Sequence, residues 1–503
     1  MKKSSFYSLS RLPLFLLLVP VFGLFAGLRA RPEAAVPVTY RNVSSTHLPL
    51  AALTGNSMDA RPADLDADGD LDLVVACEFC PNTILINDGT GRFTDESAAR
   101  MAQPSHDSED IAVADFDADG DLDIVFVAED DQINEFYLND GTGTFTDASA
   151  RLAVTGTSNA VLSPDINGDG FADLLIGNAG QNVALINDST GHFADETTQR
   201  IPANFNTTQD LEWGDVDGDG DGDLVEGNEN GNRLLINDGA GFFTDETATR
   251  LPLPAAGEET READLGDVDG DGDLDLFLAN VTFGQGRPAQ NRLLLNDGNG
   301  FFSDVTAANL PAEQRNTVDG DFVDLDYDGD LDLVAAQAFD SSFRIYLNDG
   351  SGRFADSTGV VFQTLPTGSG IDIEAADFTG DGLLDLYLTG FRRTDLLYVG
   401  EGIIDTGNEP PDEPDFGAFR LDGNAPNPFS RTTHITYMLH TPAFVELRVY
   451  DLAGREVATA IRRHQPPGAY TYPFLADHLA AGLYLYTVHA GPLQATRPMV
   501  VVR

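Results

Sequence analysis

Seven stretches of this chain carry acidic residues at alternate positions, five of them at every second position without a break, and alternate carboxylates on a tight turn form an oxygen cage for a hard cation. The first is Asp64, Asp66, Asp68, Asp70 and Asp72; the second is Asp115, Asp117, Asp119, Asp121 and Asp123. The third is Asp165, Asn167, Asp169, Phe171 and Asp173; the fourth is Asp215, Asp217, Asp219, Asp221 and Asp223. The fifth is Asp267, Asp269, Asp271, Asp273 and Asp275; the sixth is Asp324, Asp326, Asp328, Asp330 and Asp332. The seventh is Asp377, Thr379, Asp381, Leu383 and Asp385. These residues occupy positions 1, 3, 5, 7 and 9 of each loop, with glycine at position 6. Oxygens at 1, 3 and 5 converge when the chain turns sharply, and glycine permits that turn. Phe171 and Leu383 at position 7 fit a site that takes a backbone carbonyl there, and position 9 closes the cage. Such a set suits Ca²⁺ better than Mg²⁺ and offers zinc no nitrogen or sulfur. One acidic turn of this kind can be a solvated loop without an ion, but seven in register would repel strongly without cations. Up to seven calcium ions are therefore expected, bound more weakly in the third and seventh loops. At a dissociation constant of ~10⁻⁴ M and ~1 mM calcium, each ion would stabilise the fold by about 1.4 kcal/mol, and seven by roughly 10 kcal/mol.

The elements that must hold these loops follow from their spacing. First aspartates recur at intervals of 51, 50, 50, 52, 57 and 53 residues, which defines seven units. Six units carry a second landmark, from Asn87-Asp88-Gly89 to Asn348-Asp349-Gly350, a strong hairpin signal. In unit 1, strands are predicted over 59–63, 71–76, 83–86 and 92–96. Four short strands per unit is the spacing of a propeller blade. Apolar residues at position 2 (Leu65, Phe116) and position 10 (Leu73, Ile124) are expected between blades. Unit 7 lacks its outer strand, and the isolated segment 38–43 is expected to supply it. The loops would then share one face. Five residues before position 1 stands an acid in six units: Asp59, Asp110, Asp210, Glu262, Asp319 and Asp372, with Ala160 in the third. They would lie about 16 Å from the cages, at ~3.3 Å per residue, near a channel mouth. They line either a hydrated channel or a polar rim that binds a cation, sugar or peptide.

The chain has 503 residues, 82 acidic against 29 basic, and a formal net charge of −53. That charge excludes nucleic acid and an anionic membrane surface as partners. The only lysines are Lys2 and Lys3, so no amine nucleophile follows. Lys2, Lys3 and Arg11 precede an apolar run from Leu12 to Leu28, which reads as a secretory signal over 1–30. No later segment is apolar enough to span a membrane. Cys77 and Cys80 lack the setting of a redox motif, and an exported chain favours a local disulfide. The histidines form no catalytic or zinc-binding arrangement.

The repeated DxDxDGDxD resembles the FG-GAP/VCBS repeat family, which includes the integrin α-subunit propeller and many secreted bacterial proteins. That resemblance implies a seven-bladed β-propeller, here over 36–402, with calcium in the first hairpin of each blade. Family activities range from adhesion and glycan binding to lyase-type catalysis, so the fold leaves function open. Residues 403–417 are acidic and proline-rich and read as a linker. Beyond it, strands are predicted over 434–439, 445–450, 470–474, 483–488 and 499–502, and suggest a small Ig-like β-sandwich over 418–503. Asn424-Ala425-Pro426-Asn427-Pro428-Phe429, Val449-Tyr450-Asp451-Leu452-Ala453-Gly454-Arg455, Gly482-Leu483-Tyr484-Leu485-Tyr486 and Met499-Val500-Val501 resemble the type A sorting domain of the type IX secretion system. Pro498 stands where that family has a basic residue. The resemblance implies passage through the outer membrane, the type IX machinery as a partner, and secretion or attachment at the cell surface after removal of the Sec signal. An ordinary Ig-like accessory module that stays attached is the rival. The expected function is an adhesion, carbohydrate-binding or protein-binding module, and the alternative is a polysaccharide-active lyase or hydrolase on the same scaffold.

Overall fold

The computed structural model describes residues 38–401 and 419–501, apart from 50–52, 54, 153, 255–257, 283–289, 313–314, 339–342, 363–369 and, toward the C-terminus, 426–428, 430, 440–442, 452–454, 466–467, 477–478, 480–481 and 491–492. The secretory signal and the linker fall outside these residues. The chain divides into two compact parts, Met1–Ile404 and Asp405–Arg503.

The first part is all-β and propeller-like. Unit 1 is an antiparallel sheet of Ser57–Ala63, Asp72–Cys80, Thr83–Asn87 and Phe93–Asp95, in that order. The order repeats in units 2 to 6, beginning with His106–Ala114, Ser158–Leu162, Thr208–Gly214, Thr260–Gly266 and Thr317–Val323. The sheets of units 1 and 2 also join edge to edge through the register Glu78↔Asp107 and Cys80↔His106. Unit 7 has three strands of its own, Gly370–Ala376, Asp385–Gly390 and Leu396–Glu401, and Thr39–Asn42 pairs antiparallel with the last of these.

Short strands rich in Val, Leu and Ile bury both faces, so the apolar cores lie between the sheets. Leu65 and Val74 of unit 1 pack with Ile124, Phe126 and Tyr137 of unit 2 in one such cluster. Six further clusters join the other neighbouring pairs, and one sets Phe378 and Tyr387 of unit 7 against Leu73, Leu85 and Phe93 of unit 1. Each of units 1 to 6 closes with a single helical turn, such as Ser97–Arg100, that its sequence does not announce by periodicity. The turn is local chemistry: Asp95 Oδ1 accepts hydrogen bonds from Ser97 N (3.0 Å) and Oγ (2.5 Å), an Asx arrangement. Cys77 and Cys80 form a disulfide at the end of the second strand, with Cα atoms 5.3 Å apart.

The second part has two antiparallel sheets. One runs Phe419–Ala425, Thr432–Leu439, Gly468–Leu475; the other runs Glu456–Gln465, Ala443–Asp451, Gly482–Ala490, Leu493–Val501. One apolar cluster draws on both, through Ile435, Tyr437 and Phe474 and through Val445, Leu447, Tyr486, Val488 and Met499. Phe419–Ala425 and Glu456–Gln465 were not anticipated as strands; polar residues interrupt the apolar pattern of both. Pro426, Asn427, Pro428 and 452–454 of the sorting motifs lie outside the described residues.

Candidate metal centres and an acidic cavity

Each Asp-rich loop connects the first strand of its unit to the second. Its shape is set by its own carboxylates. Asp64 Oδ1 and Oδ2 accept Asp68 N and Gly69 N, both at 3.1 Å, and Asp68 Oδ1 accepts Asp70 N at 3.0 Å. The same bonds to positions 1 and 5 hold loop 2 through Asp115 and Asp119 and loop 7 through Asp377 and Asp381. Glycine at position 6 has φ between 88° and 100° in all seven loops. Position 4 is left-handed too, and there Ala67, Ala118 and Tyr327 stand where the other four loops have glycine. The sequence held that signal, since glycine recurs at position 4 in four of seven loops.

Position 9 makes a different set of contacts. Asp72 is fully buried; its Oδ2 accepts Leu65 N at 3.1 Å and its Oδ1 accepts Asn87 N at 2.9 Å. Asp123, Asp173, Asp223, Asp275, Asp332 and Asp385 repeat the pattern, with Gly400 N in place of the asparagine in unit 7. One oxygen from each of Asp64, Asp66 and Asp72 lies within 4.8 Å of the other two, and the same holds for Asp115, Asp117, Asp123 and for Asp215, Asp217, Asp223. A calcium ion with ~2.4 Å bonds spans oxygens at up to that separation.

Position 3 carries the clearest sign of an unmet need. Oδ1 of Asp66, Asp117, Asp217, Asp269 and Asp326, and Oγ1 of Thr379, are buried and have no hydrogen-bond partner. A buried acceptor without a partner costs ~1–3 kcal/mol, and more when charged. Only loop 3 differs, where Asn167 Oδ1 accepts Asp169 N at 2.9 Å. Where an arginine reaches the loop it takes the other oxygen: Arg100 Nη2 lies 3.1 Å from Asp66 Oδ2 and Arg250 Nη1 lies 3.2 Å from Asp217 Oδ2. The donor set is all oxygen and fits a calcium-class cation. Positions 1 and 5 form the loop, position 9 ties it to the next hairpin, and position 3 points an unused oxygen inward.

Burial pushes the position-9 carboxyls up to about 7 in Asp72, Asp123, Asp223, Asp275 and Asp332, and to about 6 in Asp173 and Asp385, against the pull of two backbone N–H bonds. A carboxyl raised in the folded state contributes stability that is complete below its ordinary range and is lost as pH rises through the raised value. Metal-free protein is therefore expected to melt lower at pH 8 than at pH 5.5. Added calcium should flatten that slope, because the cation favours the ionised loops. Melting curves at the two pH values, with and without calcium, check both signs.

The asparagine of the hairpin landmark joins neighbouring units in five of the six units that carry it, whereas Asn237 Nδ2 donates to Gly222 O of its own loop. Asn139 Nδ2 donates to Leu65 O of unit 1 at 2.8 Å and to Leu122 O of its own loop at 3.0 Å, while its Oδ1 accepts Gly141 N and Gly143 N. Asn187, Asn296 and Asn348 donate to the preceding loop in the same way, and Asn87 donates to Phe378 O of unit 7 at 2.8 Å.

The inner strands enclose a cavity of about 260 Å³ lined by Asp59, Asp110, Asp210, Glu262, Asp319 and Asp372, the six acids noted in the sequence. Ala160, the exception in unit 3, is buried. In five of these strands the residue two further along points to the same region, as strand alternation allows. Arg61 and Asp321 line the cavity, and Glu212, Asp264 and Glu374 act electrostatically on its acids. This second set was legible as Asp210-Leu-Glu212, Glu262-Ala-Asp264, Asp319-Gly-Asp321 and Asp372-Ile-Glu374, but needed the strand register to be seen. Arg61 faces Glu374 Oε1 at 2.9 Å and Asp59 Oδ2 and Asp110 Oδ1 at 3.5 Å each, and it balances little of the surrounding charge. Burial pushes Glu374 up to about 8, Asp210 to about 7 and Asp321 to about 6, with Arg61 pulling the other way on each. Four of the acids also fasten sheets together. Asp110, Asp210, Asp319 and Asp372 accept backbone N–H from Val161, Ala263, Ile373 and Ala60 of the next unit, at 2.6–3.1 Å.

The FG-GAP-like repeat pattern matches six times, over residues 64–126, 115–164, 165–226, 215–278, 267–335 and 324–388. No curated protein matches the chain. Among solved structures, a lectin of Agrocybe aegerita that recognises non-reducing terminal N-acetylglucosamine is 20% identical, with 60% of this chain and 79% of that one covered and a TM-score of 0.40. PorZ, a surface component of the type IX secretion system of Porphyromonas gingivalis, is 14% identical over 89% of this chain and 60% of its own, with a TM-score of 0.45. The biofilm matrix protein Bap1 of V. cholerae is 12% identical over 92% of this chain and 70% of its own, with a TM-score of 0.31. No helix among the described residues is long and apolar enough to cross a membrane. With six repeats matched between residues 64 and 388, each carrying the Asp-rich loop at the same turn, the chain belongs to the FG-GAP-like repeat family.

Proposed function

We propose that this protein is a calcium-stabilised, seven-bladed β-propeller of the cell exterior that binds a glycan or protein ligand, exported through a C-terminal sorting domain. The observation that carries the calcium reading is the buried, partnerless oxygen at position 3 in six of the seven loops. The N-terminal strand Thr39–Asn42, which completes the unit 7 sheet, and three contacts between unit 7 and unit 1 support a closed ring: Asn87 on Phe378 O, Asp372 on Ala60 N, and their shared apolar cluster. A circle of seven sheets leaves only short, protected edges and opens a central cavity. The acidic cavity supports ligand binding on the face away from the loops, where its carboxylates can accept hydrogen bonds from sugar hydroxyls or a basic peptide group. The type IX reading rests on the C-terminal motifs in the sequence.

Glycan and peptide arrays probed with the mature chain, with and without calcium, test the binding role. Asp110 and Asp210 also bond the neighbouring unit, so the informative variant is Glu262→Gln with Asp321→Asn. Calcium-dependent binding that the double variant loses is the expected result. New reducing ends or unsaturated uronates released from a polysaccharide would replace the binding role with a catalytic one. Absence of any ligand on either array would overturn it.

A further inference from the structure

The repeat supplies its own controls for a site outside the loops. At the end of units 1 to 6 opposite the Asp-rich loop, the N–H fourteen residues after position 1 donates to the carbonyl eight residues before it. The pairs are Glu78 with Asn56, Glu129 with Asp107, Ala179 with Thr157, Glu229 with Thr207, Val281 with Glu259, and Ala338 with Asn316, at 2.8–3.0 Å. These equivalent positions hold two acids only in unit 2. There the next residue is acidic as well, Asp130, where the other six units have Phe79, Gly180, Asn230, Thr282, Phe339 and Arg392.

The three unit-2 acids converge. One carboxylate oxygen from each of Asp107, Glu129 and Asp130 lies within 4.8 Å of the other two. Asp107 is 1% exposed. Its Oδ2 accepts Asp130 N at 2.8 Å, and its Oδ1 is buried with no hydrogen-bond partner. That orphaned oxygen is independent of the clustering of acids, and it repeats the feature that marks the loops. Glu78 of unit 1 stands directly across the strand pair from Asp107, so a fourth carboxylate adjoins the group. A cluster of this charge and spacing needs a counter-ion, and three oxygens on a small circle are a partial shell for calcium, which takes six to eight.

We infer that Asp107, Glu129 and Asp130 form an additional calcium site, unique to unit 2 and on the face opposite the Asp-rich loops. Asp130 is exposed and Glu129 half-buried, so the ion keeps one side open to water. Three or more coordination positions remain for water or for the oxygens of a bound ligand. Glu109, two residues beyond Asp107, lines the acidic cavity, which places the ion beside the proposed binding face.

Crystals of the mature chain soaked in terbium, a calcium surrogate with strong anomalous scattering, test this directly. A peak among Asp107, Glu129 and Asp130, separate from any in the loops, is expected. Its absence at saturating terbium would overturn the site, whatever the loops hold. In solution, Glu129→Gln with Asp130→Asn leaves buried Asp107 and its bond from the Asp130 backbone N–H in place. Calcium bound per chain should fall by one equivalent, or affinity for that equivalent by at least ~10-fold, since two of three charged ligands are gone. Unchanged stoichiometry and affinity would reject the assignment.

Discussion

Replacing Asn139 by alanine is expected to lower stability by ~3 kcal/mol and the melting temperature by roughly 6–12 °C. Asn139 is buried and serves four backbone groups at once: the carbonyls of Leu65 and Leu122 and the N–H groups of Gly141 and Gly143. Alanine can replace none of these bonds. The Leu65 carbonyl belongs to the preceding unit, so the loss falls on the join between two sheets as well as on one hairpin. Asp140→Ala, one residue away, is the control. Asp140 is exposed and bonds only within its own turn, to Thr142 and Thr144, so its removal should cost under ~1 kcal/mol. If the two variants melted alike, the inter-unit role of the asparagine would be wrong.

Asp269→Ala should have opposite consequences in two media. In ~1 mM calcium the variant loses the ion of loop 5, worth about 1.4 kcal/mol at a dissociation constant of ~10⁻⁴ M, and melts lower. In chelator it loses a carboxylate that burial and the charges of Asp271 and Asp267 disfavour against one backbone N–H bond from Asp271, so its melting temperature should equal or exceed that of the parent. The physical basis is that the buried Oδ1 of Asp269 has no partner in the protein. An equal loss in both media would make Asp269 a structural side chain with no bearing on metal.

The sheets and their order were legible because the repeat states them seven times: turn residues at fixed offsets and apolar strands between them. The outer strand of unit 7 was legible from what was missing, since Phe93-Thr94-Asp95 has no counterpart after residue 401. The tasks of individual carboxylates were less so. Nothing in the spacing separates Asp72, whose oxygens each accept a backbone N–H, from Asp66, which keeps one oxygen free. That difference depends on which groups the fold brings to each side chain. The landmark asparagine reads as a turn residue, and its bond to the neighbouring unit spans 74 residues of sequence for Asn139 and 291 for Asn87. The cavity acids were half visible: those five residues before each loop stood out, while Glu212, Asp264, Asp321 and Glu374 needed the strand alternation to be placed beside them. The cluster of Asp107, Glu129 and Asp130 was hidden because it breaks the repeat.

Thermal melting of the mature chain before and after exhaustive EGTA treatment, with the metal content of both samples measured, tests the dependence of this fold on calcium most directly. Bound calcium is expected in the untreated protein, with a melting temperature at least ~10 °C lower once it is removed and recovered on adding calcium back. An unchanged melting temperature, in a protein that carries no metal before treatment, would contradict it.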